Sequence, residues 1–417
     1  MNPVKVVVLG GSGVATPELA AALAAIPQRQ VAIELVLVGR NAAKLNLVAG
    51  AARLLARDDP HLTISHTTDV QAALGGAAYV INQMRVGGLE ARSFDESFPR
   101  DIGLPGEETV GPGGFANATR AIPVVLEYAR QIERLAPRAL LITFSNPASL
   151  VQYAITRYTK VSTIGLCDSP LTLIDNIARV LGVPAADLLV DYVGMHHFGF
   201  VTGLWRHGQN LLPQALAKSA DICKDIEPSI VQAMGVIPSP YFRYVFHPDR
   251  MLARQRGTRT RAEELMGIER EILDDYERAL ASGQKPTAQA KRSAIWYRVV
   301  IAPVLVALIE GKERPAAVPP ARFLLNVSNG QMLPWLPVDA IVEAPSLIAG
   351  GEIRPLAAPQ APAMIKTLVQ RNCAYEMTAA EAIVEHDRSK ALQALLLNPI
   401  VHTYDQAAAV LDRVWQT

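Results

Sequence analysis

Short aliphatic runs alternate with Ala-rich amphipathic stretches through the first half of the chain. Lys5–Gly10 (KVVVLG) is apolar throughout its middle, the pattern of a strand buried on both faces. Thr16–Ile26 (TPELAAALAAI) predicts a helix, with Thr16 as N-cap and Pro17 in the first turn. Ala32–Val38 predicts a second strand, Ala42–Ala56 a helix and Ala78–Asn82 (AYVIN) a third strand. Ala121–Leu135 follows as a long helix, then strands at Ala139–Phe144 and Val161–Leu166. Strand and helix in alternation, joined by glycine-marked turns, imply a parallel sheet wound on both faces. The pattern stops near Asp191–Val193. Longer helical stretches then occupy Arg261–Ala281 and Ala288–Ile309, with a weaker strand region at Leu324–Val342 and a helical tail at Ala379–Trp415. Pro-rich joins fall at Pro238–Pro240, Pro315–Pro320 and Pro355–Pro362. The expected fold is α/β: an N-terminal Rossmann-like, doubly wound domain over 1–190 and a largely helical α+β catalytic and oligomerisation domain over 191–417.

Composition narrows the function classes. The chain has 417 residues, more than one compact core usually fills. Half the residues are hydrophobic, too many for a disordered chain. Forty basic against 39 acidic side chains give a formal charge of +1, so no excess exists to neutralise a phosphate backbone and nucleic-acid binding is not expected. No apolar stretch reaches the roughly 18 residues of a membrane span. No basic-then-apolar leader is visible at the start, and three scattered cysteines make no disulfide framework. A cytoplasmic protein is expected. The mean hydropathy of +0.17 is high for a soluble chain and suits an apolar subunit interface, hence a homodimer or homotetramer.

Two places carry candidate chemistry. Gly10-Gly11-Ser12-Gly13 joins the first strand to the first helix, where glycines let the backbone approach a pyrophosphate and the helix N-terminus favours negative charge. With Thr16 and Asn82, this turn is the expected cofactor set. An acid for the adenosine ribose is missing from the second strand's end, which reads Val38-Gly39-Arg40-Asn41. Arg40 there suits a ribose 2′-phosphate, leaving NAD and NADP both open. The second place pairs Cys167-Asp168 with His196-His197, each pair at the end of a predicted strand. A thiolate and an imidazole meeting at a ligand crevice would hold a divalent ion open to substrate. A buried cysteine and a core histidine pair is the plainer reading of the spacing alone.

Taken together the motifs resemble glycoside hydrolase family 4, the NAD- and divalent-metal-dependent group of 6-phospho-α- and 6-phospho-β-glucosidases, α-galactosidases and α-glucuronidases. The resemblance runs over nearly the whole chain: the glycine turn ending Thr16-Pro17, Arg85-Val86-Gly87-Gly88, Arg92 with Asp95-Glu96, Gly106–Gly114, Ser145-Asn146-Pro147, Cys167-Asp168, His197-Phe198-Gly199, Thr260-Arg261-Ala262 and Asn326–Pro345. It implies that Cys167 and His197 hold Mn2+ or a similar ion. It implies that Asn146 binds sugar hydroxyls, that Arg85, Arg92 and Arg261 line the substrate pocket, that Asp168 is the general acid and that Tyr241 is the catalytic base. Family 4 departs from the usual two-carboxylate glycosidase scheme. The implied route is hydride removal from C3 of the sugar by NAD+, metal-assisted loss of the C2 proton, elimination of the glycosidic oxygen, addition of water and return of the hydride. The substrate would be a small-molecule 6-phosphoglucoside or another hexoside. Gly13-Val14 stands where members that bind 6-phosphosugars often carry Ser-Thr, which bears on substrate identity. The alternative is an NAD(P)-dependent hydroxy-acid dehydrogenase of the lactate/malate type, which shares the cofactor fold.

Overall fold

The computed structural model describes residues 3–27, 29–357 and 360–415, so part of the Pro355–Pro362 join lies outside the described residues. Its centre is a nine-stranded sheet. Six strands are parallel: β1 (Val4–Leu9), β2 (Ile33–Val38), β3 (Leu62–Thr67), β4 (Tyr79–Asn82), β5 (Leu140–Thr143) and β6 (Thr163–Gly165). Their spatial order is 3-2-1-4-5-6. That order reverses between β1 and β4, the switch point where a doubly wound sheet opens a crevice beyond its strand ends. Helices α1 (Thr16–Ala24), α2 (Ala42–Ala56), α3 (Val70–Leu74), α4 (Gly88–Asp101), α5 (Gly111–Leu135), α6 (Ala148–Tyr158) and α7 (Ser169–Leu181) connect them.

The all-apolar strand pattern has its physical reason here. Val6 and Val8 of β1 pack with Leu35 and Leu37 of β2 in one core layer. Val7, Leu9, Val36 and Val38 enter the opposite layer. Alternate side chains thus reach both faces, and neither face can be polar. Each fully buried Val or Leu is worth about 1.5–3 kcal/mol against exposure.

Sequence and structure part at several elements. β3 (LTISHT) escaped the periodicity because it is an edge strand whose outer positions are polar and partly exposed. Helix α5 starts at Gly111, ten residues before the predicted Ala121. Gly113 and Gly114 look like breakers, yet a Cβ at Gly113 would lie 2.1 Å from the Glu107 carbonyl oxygen and one at Gly114 2.5 Å from that of Thr109. They are small because loops pack onto the helix there. Thr16 is not the N-cap: Ala15 holds that place without a side-chain bond, and Thr16 is the first helical residue.

After β6 the chain forms a second, antiparallel sheet of β7 (Leu189–Met195), β8 (Phe198–Arg206), β9 (Gln209–Asn210) and β10 (Ile237–Pro238). It later returns to the large sheet. The weak strand region becomes β11 (Ala321–Ser328) and β12 (Ile341–Ala349), joined by β13 (Glu352–Pro355); β11 pairs antiparallel with β6 at Asn326 and Gly165. No helix among the described residues is long and apolar enough to cross a membrane.

Candidate active site

A cavity of about 980 Å³ opens at the switch point. Residues just beyond the carboxyl ends of four parallel strands line it: Gly10, Met84, Asn146 and Cys167. The glycine turn closes one side. Gly10 has φ +83°, and the Gly11 N–H donates to the Val38 carbonyl at 2.7 Å. A Cβ on Gly11 would sit 2.7 Å from the Val38 nitrogen, so only glycine fits between β1 and β2 there. Gln83 stiffens the turn from β4. Its amide donates to the Thr16 hydroxyl at 2.8 Å and to the Gly10 carbonyl at 3.2 Å, and it accepts from Tyr297 at 2.7 Å.

The candidate metal donors sit on a hairpin. β7 and β8 pair Met195 with Phe198, leaving His196 and His197 as the two-residue turn. His197, the second residue of the turn, takes φ +60°, a left-handed conformation that side chains pay to adopt. Both imidazoles are thereby thrust inward, each about 5% exposed. Cys167, at the end of β6, meets them: the ligating atoms of Cys167, His196 and His197 all lie within 4.8 Å of one another. His197 Nδ1 bonds the Thr109 hydroxyl at 3.0 Å, which leaves its Nε2 free. The Tyr241 ring stacks on His197, centroids 3.7 Å apart and planes within 10°.

Burial sets the protonation. It holds His197 well below the usual imidazole range, with His196 adding to the effect, and His196 down to about 3. Both are neutral at neutral pH, the form in which an imidazole can ligate a metal. Burial, then Glu343 and Asp168, push the Cys167 thiol up. Burial, then Glu107 and Cys167, push the Tyr241 phenol up. Burial also raises the Asp168 carboxyl, which lines the same cavity.

Arginines occupy the opposite wall. Arg85 and Arg92 both pair with Glu108, Arg92 at 2.9 Å, and Arg92 also bonds Glu96 at 2.7 Å. Burial favours a neutral Glu108, but the two cations outweigh it and its carboxyl lies below the ordinary range. Arg292, which sequence reasoning missed, joins them over the face of Trp296. Burial, then Arg92 and Arg85, bring its guanidinium down to about 10, the mark of a cation short of counter-charge.

The structure therefore gathers Gly10, Ser12, Gly13, Arg40, Arg85, Arg92, Asn146, Cys167, Asp168, His197 and Tyr241 around one cavity. Gly11, Thr16 and Asn82 lie behind its wall. Asn82 is buried and bonded to Thr143 and Ser145. Arg261 is half-exposed and pairs with Glu264 at 2.6 Å; it does not line the cavity, although its charge reaches Arg292. His196, which the sequence reading passed over for its neighbour, is a full member of the donor cluster.

Residues 5–183 match the family described as Family 4 glycosyl hydrolase, and residues 192–401 match the Family 4 glycosyl hydrolase C-terminal domain. The chain belongs to glycosyl hydrolase family 4. It is a glycosidase, and the dehydrogenase alternative falls. A probable 6-phospho-beta-glucosidase of Bacillus subtilis (strain 168) is 31% identical over 430 residues, covering 98% of this chain and 95% of that protein. The 6-phospho-beta glucosidase of Thermotoga maritima, solved with manganese, NAD+ and glucose-6-phosphate, superposes with a TM-score of 0.87 at 26% identity, over 99% of this chain and 97% of that one. A 6-phospho-alpha-glucosidase from gut microorganisms, solved with NAD and glucose-6-phosphate, gives 0.86 at 25% identity over the same shares.

Behind the two histidines of this family 4 member lies a small chamber of mixed lining into which Ser149, Asn372 and Glu376 bring polar groups. Burial raises the Glu376 carboxyl from 4.5 to about 7. An acid whose folded value is raised carries no penalty below its unfolded value, and loses stability as pH climbs from that value to the folded one. The full deficit, about 3 kcal/mol, is reached above pH ~7. Glu376→Gln removes this titration. Between acid conditions near pH ~4.5 and pH ~8, the stability of the variant relative to the native protein should rise by up to about 3 kcal/mol, as read by urea unfolding at each pH. A pH-independent difference would mean that Glu376 is already ionised in the fold.

Proposed function

We propose that this cavity cleaves a hexoside bearing an anionic group, a 6-phosphoglucoside first, with an NAD-type dinucleotide along the glycine turn and a divalent ion at the hairpin. The carrying observation is the convergence of Cys167, His196, His197 and Tyr241 with the ends of β1, β4, β5 and β6 in one cavity. Substrate class comes from the relatives named above and from the three-arginine wall.

The residues suit both groups. Two neutral imidazoles and a thiol form a donor set for a divalent transition ion, with substrate oxygens free to complete it. The Gly10–Gly13 turn before α1 offers backbone N–H groups to a pyrophosphate. When bound, the dinucleotide would supply a hydride acceptor and donor, and the cation would supply a Lewis acid beside the sugar.

The chain's own groups do the rest. Cys167 and His197, with His196, hold the ion. Asn146 binds the sugar hydroxyls, and its loop is anchored where Asn117 donates to the Asn146 carbonyl at 3.1 Å. Tyr241 takes the C2 proton; its phenol is far too weakly acidic alone, and a cation on the stacked His197 would bring it down. Asp168, whose carboxyl burial raises, delivers a proton to the leaving oxygen. Arg85, Arg92 and Arg292 receive the anion. We assign cofactor binding to 1–190, substrate binding to groups from both 1–190 and 191–417, and assembly to 191–417, in a homodimer or homotetramer.

A panel of 4-nitrophenyl glycosides, with and without a 6-phosphate, tests the reading in the presence of NAD+ and Mn2+. The expected result is cleavage of phosphorylated members with no net NADH. Arg292→Ala should raise their KM by about tenfold or more while leaving kcat much closer to native. Net NADH made from a free hydroxy acid, or no glycoside cleaved, overturns the proposal.

A further inference from the structure

The cavity runs past the glycine turn to the ends of β2 and β3, where a bound dinucleotide places its adenosine ribose. We infer that this end is built for a 2′-phosphate, so that the chain takes NADP(H) in preference to NAD(H). The inference rests on the dinucleotide reading above and departs from the solved relatives, which hold NAD.

An NAD site needs a carboxylate at the end of β2 to accept from the ribose hydroxyls. None reaches the cavity there. Val38, the last residue of β2, is buried in the core and its carbonyl is taken by Gly11. Gly39 follows, and a Cβ on it would meet the Ser12 side chain at 2.9 Å. Any acid at that position would therefore have to push the Ser12 side chain aside. The first polar side chain after β2 to face the crevice is Arg40, which lines it.

Arg40 is exposed and makes no hydrogen bond or ion pair with any described residue. A cation with no partner at a cavity wall is available for an anion. Its surroundings reinforce the charge. Lys44, one turn on in α2, lines the same wall, as does Arg270 from the facing helix Arg261–Ser282. The carboxylate on this stretch of that helix, Glu269, is engaged by Lys44. Asp69, just after β3, accepts from the Gln71 and Ala72 N–H groups at the start of α3 and does not line the cavity. Three cations against one paired acid is the balance of a phosphate site; a ribose diol gains nothing from it.

The test uses the purified full chain, stripped of nucleotide, without metal or sugar. NADPH and NADH are titrated separately and binding is followed by nicotinamide fluorescence; 2′,5′-ADP is then used to displace the bound nucleotide. NADPH is expected to bind at least about tenfold more tightly, and Arg40→Asp to reverse the order. Displacement by 2′,5′-ADP should exceed that by 5′-AMP in the native chain and lose that advantage in Arg40→Asp. Equal or tighter binding of NADH by the native chain overturns the inference while leaving the dinucleotide reading intact. The same holds if Arg40→Ala leaves the NADPH-to-NADH ratio unchanged. Failure of both nucleotides to bind overturns the dinucleotide reading, and the preference with it.

Discussion

Cys167→Ser is expected to lower metal-dependent glycoside cleavage by about 10³-fold or more, close to complete loss. Serine keeps the size of the side chain and the Ser169 N–H bond to position 167, so the end of β6 and the start of α7 should hold. What changes is the donor. A thiol pushed up by burial becomes a ligand only when a cation takes the place of its proton, and an alcohol, far less acidic still, does not follow. The neutral imidazoles of His196 and His197 would remain, short of the sulfur that faces them. Metal content of the purified variant should fall together with turnover, and nucleotide binding at the far end of the cavity should be unaffected. Native protein dialysed against EDTA should lose activity and regain it with Mn2+. Full activity after such dialysis, or Cys167→Ser turning over at the native rate, removes the metal from the site.

The same cysteine shows what a sequence discloses. Cys167 lies just beyond a strand of the central sheet, and strands buried on both faces declare themselves by unbroken apolar runs; β1, β2 and β4–β6 were legible for that reason. β3 was not, because at the sheet edge half its side chains meet water. The start of α5 was hidden because glycines usually break helices, and only the packing against Glu107 and Thr109 reveals why these do not. Within the site, residues just beyond strand ends were readable from topology: Gly10, Arg85, Asn146 and Cys167 follow β1, β4, β5 and β6. Arg292 had no such marker. It lies in a short irregular stretch after the 3-10 turn Ala288–Lys291, and only the fold carries it to the arginine wall. Glu343 is similar: β12 brings it under Cys167, where it accepts from Tyr192 at 2.9 Å. Choosing His197 over His196 was a distinction spacing could not make, since a two-residue hairpin turn presents both.

Tyr241→Phe is expected to cut exchange of the C2 hydrogen of the sugar by about 10²–10⁴-fold, the usual worth of a positioned base, with kcat falling alongside. The substitution removes one oxygen and little else. A phenylalanine ring can keep the stack on His197 and the packing against Tyr244, so the hairpin and the donor cluster stay in place. Metal binding is then the control: it should match the native protein. The phenol matters because the nearby carboxyls are poor substitutes. Burial disfavours the charged form of Asp168, and Glu107 is held by the Thr109 and Val110 N–H groups. Deuterium incorporation at C2 in heavy water, followed by mass spectrometry or NMR, separates this step from cleavage itself. If Tyr241 only shaped the pocket, exchange would persist while KM rose. Exchange at the native rate in Tyr241→Phe would take the base role from this residue and pass the search to the other proton acceptors on the cavity wall.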